Sequence, residues 1–258
     1  MELKKAFRNP SLIFFLLLTS YLIVATFVSF NYEHTVLSII FLIVMLISHF
    51  LIDKYYKKMS LVNTLLSIEI IYLIYFFTSL VEVLLVIVLF WLLRLFLRYK
   101  SMPIINPVVA TLLGTYIVTL LVSLPTPFVS WWGSAFLGSW SLLFLAPAVA
   151  YGLYKFRKYY YFFFLLLSYL LVDLILNGFS WFAFSTGTLY FALGIMFLEI
   201  KTSPTRKMDQ IVIGILGGIF LVFSYKLFTY PILIAIAFTN VIFFAKKYYL
   251  LELKKKSK

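Results

Sequence analysis

Two carboxylic acids lie inside long apolar stretches of this sequence. Glu69 lies nine residues into one stretch, which is near the centre of a membrane for a helix that rises about 1.5 Å per residue. Asp173 lies 14 residues into another. A charge in hydrocarbon costs at least about 2.5–3.5 kcal/mol, so such a side chain usually faces protein or water. Two readings stay open: these acids carry protons or cations along a pathway, or they are hydrogen-bonding groups between helices.

Two short segments combine a polar residue with proline, as the start of a helix often does. Asn106 can cap a helix whose first residue is Pro107, and Ser203 can do the same for Pro204. A helix start carries positive partial charge and can hold a phosphate or another anion. The side chains that could contact an anion there are Asn106, Pro107, Thr202, Ser203, Thr205 and Arg206. The alternative is a plain helix cap at a wet membrane boundary.

These residues belong to ten apolar runs, or to the gaps between them. A helix needs about 20 apolar residues to cross the hydrocarbon core, with a range of about 17–25. The runs are roughly Pro10–Phe30, His34–Ile52, Ser60–Thr78, Glu82–Leu97, Pro103–Leu124, Gly138–Tyr154, Tyr159–Asn177, Phe182–Glu199, Met208–Tyr225 and Phe228–Ala245. The pattern predicts an all-α, polytopic integral membrane protein with about ten transmembrane helices. Gaps of a few residues predict a single membrane domain, 1–258.

The cations alternate along the chain. The even gaps and the two ends carry 21 of the 22 Lys and Arg residues, and the odd gaps carry only Lys226. Short cytoplasmic loops concentrate Lys and Arg, so we expect both termini in the cytoplasm and the protein in the cytoplasmic membrane. The +13 charge is dispersed over six patches, which does not fit a nucleic-acid interface and suits anionic headgroups.

Composition excludes several classes of protein. A chain with 64% hydrophobic and 12% charged residues is not an ordinary soluble domain. It has no cysteine and two histidines, which leaves no thiolate for an iron–sulfur cluster and too few ligands for a protein-only zinc or haem site. No phosphate-binding glycine loop, HExxH segment or nucleophile elbow occurs, so no metal site or hydrolase is expected.

Glycines predict where helices approach closely. Gly214, Gly217 and Gly218 form one face of the ninth run, and Gly187 and Gly194 thin the eighth. Small residues at such positions let the backbones of membrane helices come into contact.

Several segments follow one another in an order that resembles a known membrane family. They are Arg98-Tyr99-Lys100, Ile105-Asn106-Pro107-Val108-Val109, Ser130-Trp131-Trp132-Gly133, Leu137 to Phe144, Ala192 to Thr205, and Ala237-Phe238-Thr239-Asn240. The family contains the D subunit of the Rnf electron-transport complex and the B subunit of the sodium-pumping NADH:quinone oxidoreductase. The segment from Ala192 to Thr205 is similar to the family's "FFMATDPVTSPTT", with Glu199 at the position of its aspartate.

The resemblance implies two five-helix halves, about 1–124 and 138–258, in a membrane subunit of a redox-driven, ion-translocating complex. It implies FMN or riboflavin as cofactor, other membrane subunits as partners, and Glu199 beside Glu69 and Asp173 on the ion pathway. The family attaches FMN through a threonine in an "SGAT" segment, which this chain lacks; only Thr188, in Ser185-Thr186-Gly187-Thr188, looks like it. A flavin held noncovalently, or another ligand, near the helix starts at Asn106 and at 202–205 therefore stays open, with Thr188 as the alternative covalent site.

Two other functions stay open. One is a transporter or channel for a small solute or ion without electron transfer. The other is a structural membrane partner that has kept the fold and lost the cofactor. In none of these readings is the chain an enzyme alone, because at most it forms one subunit of an oxidoreductase.

Overall fold

The computed structural model describes residues 9–28, 31–56, 60–99, 102–122, 141–178, 187–197 and 202–256. Within these ranges the chain is almost entirely helical. The helices are α1 Pro10–Val28, α2 Tyr32–Tyr56, α3 Leu61–Ile74, α4 Leu80–Phe96, α5 Pro107–Leu121, α6 Ser141–Phe156, α7 Tyr159–Asn177, α8 Gly187–Phe191, α9 Lys207–Leu227 and α10 Pro231–Lys256. Strands β1 Arg98–Tyr99 and β2 Met102–Pro103 form a small antiparallel ribbon between α4 and α5.

Five of these helices are long and apolar enough to cross a membrane: α1, α2, α7, α9 and α10. They expose large apolar side chains, such as Phe27 on α1 and Ile175 on α7, on their outer faces. Apolar patches of this extent suit hydrocarbon and not water. The chain is therefore a multi-pass membrane protein.

The third apolar run is not one continuous helix, contrary to the expectation of a span over Ser60–Thr78. Helix α3 ends at Ile74, and the chain continues in extended conformation from Tyr75 to Ser79 before α4 begins. At about 1.5 Å per residue, the 14 residues of α3 cover only about two-thirds of the hydrocarbon thickness. Tyr75 and Phe77 are nonetheless fully buried, so this extended segment is packed inside the protein.

Two side chains hold the extended segment. The backbone N–H of Phe77 donates to His34 Nδ1 at 3.1 Å, and the ring of His34 stacks on Phe76 with centroids 4.4 Å apart. The Glu82 carboxylate accepts from the backbone N–H of Thr78 at 2.9 Å and from its hydroxyl at 3.0 Å. Backbone groups outside a helix need such partners at membrane depth, which explains how the break is tolerated.

The described part of the eighth run, residues 187–197, is helical but irregular. Within the described residues, α8 begins at Gly187 and continues as a π-helical turn over Ala192–Met196. A π turn inserts one extra residue into a helical turn and is frequent at functional sites. All five residues of this turn are buried.

The glycine face of α9 packs directly against α7, as expected. A Cβ atom on Gly218 would lie 2.4 Å from the Leu165 carbonyl oxygen and 2.7 Å from the Tyr169 backbone nitrogen. Gly214 similarly faces the Tyr161 carbonyl oxygen at 3.0 Å. The prediction of close helix approach is confirmed, because only glycine leaves room for these backbones.

The packing of helices repeats after five elements. In the first part of the chain α1 packs on α3, α2 on α4, and α4 on α5. Later α6 packs on the α8 region, α7 on α9, and α9 on α10. The two sets are joined by contacts of α1 with α6 and of α5 with α10, and the members of each of these pairs are counterparts in the repeat. In this scheme the two short helices, α3 and α8, occupy equivalent places.

Candidate functional site

A cavity of about 330 Å³ lies among α1, α3, α5, α6 and the π turn after α8. Its walls are largely apolar, with Phe14, Leu66, Ile70 and Phe156 among them. The polar side chains that line it are Ser11, Asn63, Ser67, Arg94, Arg98 and Asn106. Small-molecule pockets of about 300–1,000 Å³ combine apolar walls with a few polar groups in this way. The cavity is therefore the candidate binding site.

Asn106 begins α5 at the edge of this cavity, as the sequence predicts. Its Oδ1 accepts from the backbone N–H groups of Val108 at 2.8 Å and Val109 at 3.4 Å, and Pro107 is the first helical residue. The predicted cap is confirmed. Asn106, Pro107 and Val108 all line the cavity, together with Gly194 and Ile195 of the π turn.

Asn240 on α10 connects Asn106 to the second predicted helix start. The Asn106 backbone N–H donates to Asn240 Oδ1 at 2.8 Å, and Asn240 Nδ2 donates to the Thr202 carbonyl at 3.3 Å. Asn240 is 1% exposed, so both bonds are shielded from water. The structure thus brings the two predicted segments together, although Thr202 faces a smaller space beside Asn240 and not the 330 Å³ cavity.

The second predicted helix start, at Ser203 and Pro204, is wrong. Helix α9 begins at Lys207 with Arg206 as its N-cap residue and no side-chain cap, so Ser203 and Pro204 do not start it. The turn 202–205 instead presents its carbonyl groups to buried side chains. Asn240 donates to the Thr202 carbonyl. Lys158 Nζ donates to the carbonyls of Ser203 at 3.0 Å and Pro204 at 2.6 Å. Gln210 Nε2 donates to the Thr205 carbonyl at 3.2 Å. These long-range bonds hold the turn outside the helix.

Lys158 is a buried cation on this side of the molecule. It is 1% exposed, directly before α7, and its ammonium group is held by the carbonyls of the turn 202–205. Burial, with a smaller contribution from the nearby cation of Lys247, lowers the pKa of Lys158 to about 8. Gln210 reinforces the contact, because its Nε2 also donates to the Arg157 carbonyl at 2.9 Å.

Arg94 supplies positive charge to the cavity wall from α4. It is 8% exposed, and its Nη1 donates to Thr64 Oγ1 at 2.9 Å. The same hydroxyl lies 3.1 Å from His49 Nδ1. The guanidinium group also lies over the rings of Phe90 and Trp91, at 5.3 and 5.4 Å from their centroids, where the ring quadrupole stabilises a cation. Arg94 is therefore fixed in place at the cavity.

Glu69 lies on α3 and faces α1 beside the cavity. Its Oε1 is 2.5 Å from Thr19 Oγ1, and the same hydroxyl also lies 2.9 Å from the Phe15 carbonyl. The Thr19 hydroxyl has one proton and can donate to only one of these two oxygens. If it donates to the Phe15 carbonyl, a protonated Glu69 can supply the proton for the bond between Glu69 and Thr19. Glu69 is 7% exposed, and its Oε2 has no hydrogen-bond partner among the described residues. No ion pair to Glu69 occurs in that part of the chain.

The other predicted site residues are not gathered at the cavity. Asp173 lies on α7 and accepts from Asn177 Nδ2 at 2.7 Å, so it shares no partner with Glu69. Thr205 and Arg206 are exposed. Thr188 lies within α8 but its side chain is outside the described set, and Glu199 is outside the described residues altogether.

Four contributors to the site were not among the predicted site residues: Lys158, Gln210, Asn240 and Arg98. Lys158 and Asn240 are about 40 residues from the turn 202–205 in the sequence, so only tertiary packing brings them to it, whereas Gln210 follows the turn in the first part of α9. Arg98 was one of many boundary cations.

Comparison with known protein families, with curated proteins and with solved structures found no match for this chain. The kinship with the Rnf and sodium-pumping families therefore stays a prediction from the sequence.

Proposed function

We propose that this chain is a ten-span membrane subunit of a redox-driven, ion-translocating complex, and that its cavity holds a flavin noncovalently. One observation carries the proposal. The two segments that most resemble the flavin-carrying family, Ile105 to Val109 and Ala192 to Thr205, meet at the same cavity through Asn106 and Gly194. They are about 90 residues apart in the sequence, and nothing in the motifs themselves requires that meeting.

The residues of the cavity fit a flavin. An isoalloxazine ring is flat and largely apolar, with hydrogen-bonding atoms along one edge. Phe14, Leu66 and Ile70 offer apolar walls, while Asn63 and Asn106 offer amide groups. A bound flavin would supply the electron chemistry, and this chain would supply its position, its exclusion from water and the electrostatic field around it.

The spans and the orientation belong to the same proposal. Each of the ten apolar runs contains a helix, and the extended segment Tyr75–Ser79 completes the crossing that α3 begins. The basic turns around Lys158 and Arg206 would lie in the cytoplasm, and the contact between Lys158 and the turn 202–205 supports a common side for them. The cavity, with Arg94 and Arg98 in its lining, would then lie toward the cytoplasmic side.

The test is chemical analysis of the purified chain with its membrane partners. We expect visible flavin absorbance and a flavin that is released by denaturation, as a noncovalent cofactor must be. Asn106→Leu removes the cap and the amide at the cavity, and should reduce flavin content several-fold. Thr188→Ala is the matched control and should retain full flavin content. Flavin that stays attached through denaturation, and is lost in Thr188→Ala, would contradict the noncovalent site.

Transport without electron transfer is the second candidate, and a specific observation favours it. Helix α3 and helix α8 occupy equivalent places in the two sets of five, and α3 and the π turn after α8 both line the cavity. Broken helices at corresponding positions mark the substrate sites of many transporters. Flux in liposomes without a redox couple, lost in Glu69→Gln and retained in Asp173→Asn, would establish this function. A chain with neither flavin nor flux would leave the structural role.

A further inference from the structure

Hydrogen-bond donors gather on the lining of the cavity. Arg94, Arg98 and Asn106 all contribute to it, and none of the described lining residues is acidic. The N-terminus of α5 opens beside them, and the positive end of a helix dipole adds to the field of the two guanidinium groups. The cavity is therefore electropositive on this part of its wall.

Arg98 carries a buried donor that nothing in the described chain satisfies. Its Nε has no hydrogen-bond partner among the described residues and is shielded from water. The residue begins β1, where its backbone lies opposite Pro103 of β2. A buried charged donor without an acceptor is costly. An acceptor that arrives with a ligand removes that cost.

Asn106 offers a second donor in a fixed orientation. It is 3% exposed, and its Oδ1 is fully engaged by the first-turn N–H groups of α5. Its Nδ2 therefore points away from the helix, and no hydrogen bond from Nδ2 occurs within the described residues. The backbone N–H groups are already capped, so a ligand would contact the side-chain amide and not the helix backbone.

We propose that the ligand of this cavity carries an anionic phosphate or carboxylate group, bound by Arg98 with Asn106 beside it. This inference rests on the proposed function, because it assumes that the cavity is a ligand site. Arg94 contributes charge from a position held by Thr64. Among flavins the inference selects FMN over riboflavin, since only FMN has a phosphate. An anionic lipid headgroup presents the same chemistry, and the experiment separates the two sources.

The test is a titration of the full chain, in nanodiscs of zwitterionic lipid, with FMN and with riboflavin, followed by flavin fluorescence. Charged hydrogen bonds predict that FMN binds roughly 10- to 100-fold more tightly than riboflavin. Arg98→Gln should lower FMN affinity by about the same factor and leave riboflavin affinity unchanged. Arg206→Gln removes an exposed cation and should change neither. Arg98→Lys keeps the charge without Nε and should give an intermediate FMN affinity.

The outcomes separate this inference from the proposed function. Equal binding of FMN and riboflavin by the wild-type chain overturns the anionic ligand and leaves the flavin site standing. If neither flavin binds, but inorganic phosphate raises the unfolding temperature of wild type and not of Arg98→Gln, the flavin function fails and the anion site holds. If phosphatidylglycerol in the nanodiscs competes with FMN only when Arg98 is present, a lipid headgroup is the anion. If FMN, inorganic phosphate and phosphatidylglycerol all have no effect, the proposed anion site is wrong.

Discussion

Gly218→Ala should separate α7 from α9, because the new methyl group has no space. An ideal Cβ on Gly218 would lie 2.0 Å from Ser168 Oγ, 2.4 Å from the Leu165 carbonyl oxygen and 2.7 Å from the Tyr169 nitrogen. The hydroxyl of Ser168 can rotate away, but the two backbone atoms cannot. The carbonyl contact is about 1 Å short of ordinary van der Waals distance, so the whole helix must move by about that amount.

The expected cost is that of overpacking a tight interface, about 1–3 kcal/mol, less the helix propensity that alanine gains over glycine, about 1 kcal/mol. Because the contact is with backbone, the upper part of this range applies. For a chain of this size, about 2 kcal/mol corresponds to a fall in unfolding temperature of roughly 4–8 °C. The chain contains five Trp residues, so fluorescence during heating of the detergent-solubilised protein provides the assay.

Gly114→Ala is the matched control. It makes the same substitution in α5, but its Cβ would meet Leu93 Cδ1 at 3.1 Å and Leu89 Cδ1 at 3.8 Å, which are the ends of flexible side chains. We expect an unfolding temperature equal to wild type or slightly higher. If the Gly218 and Gly114 variants unfold at the same temperature, the packing of α7 on α9 described above is wrong.

Three further substitutions test the buried polar contacts. Lys158→Arg places a permanent cation where the pKa of the lysine is about 8, below its ordinary value of 10.5. Between these pH values the folded wild type binds fewer protons than the unfolded chain, so its free energy of unfolding rises with pH. Relative to the variant, the rise should reach up to about 3 kcal/mol between pH 8 and 10.5. A constant difference in unfolding temperature across that pH range would refute this. Asn240→Leu leaves the Asn106 N–H and the Thr202 carbonyl without partners, so it should destabilise the chain by about 2–4 kcal/mol and weaken flavin binding, as measured by heating and by titration. His34→Phe keeps a stacked ring but removes the acceptor for the Phe77 N–H, so the free energy of unfolding should fall by about 1–3 kcal/mol. His34→Gln should lower it less. Equal unfolding temperatures for the two variants would contradict the role of Nδ1.

Local chemistry explains which features the sequence predicts well. The Asn106-Pro107 cap needs only neighbouring residues, and the structure contains it. The glycine face of α9 follows from helical spacing, which places Gly214 and Gly218 on the same side. The apolar runs indicate helices because no other element satisfies backbone groups so fully in lipid.

The break after α3 shows what periodicity misses. The segment from Tyr75 to Ser79 is apolar enough to continue a helix, and its extended form depends on His34, more than 40 residues earlier. One local signal was present. Ser79 and Glu82 have the spacing of a capping box, which indicates a new helix start at Leu80. The end of α3 itself has no such signal.

The helix start predicted at Ser203 and Pro204 is wrong for a different reason. Ser203 and Pro204 have the local pattern of a helix start, but two distant side chains, Lys158 and Asn240, bind carbonyl groups of the turn, and Gln210 in α9 binds another. Tertiary hydrogen bonds outweigh a local preference of about 1 kcal/mol. Contacts between residues so far apart cannot be read from spacing in one sequence.

Cysteine accessibility tests the central claim most directly, because the chain has no cysteine of its own. Ser67→Cys places a thiol on the cavity lining, and Asn177→Cys places one at the opposite end of the bundle, at the last residue of α7. In inside-out membrane vesicles, a membrane-impermeant maleimide should label the Ser67 variant and not the Asn177 variant, and FMN should slow the labelling at position 67. Labelling at position 67 only from the opposite side, or at a rate that flavin does not change, would contradict a flavin cavity that opens to the cytoplasmic face.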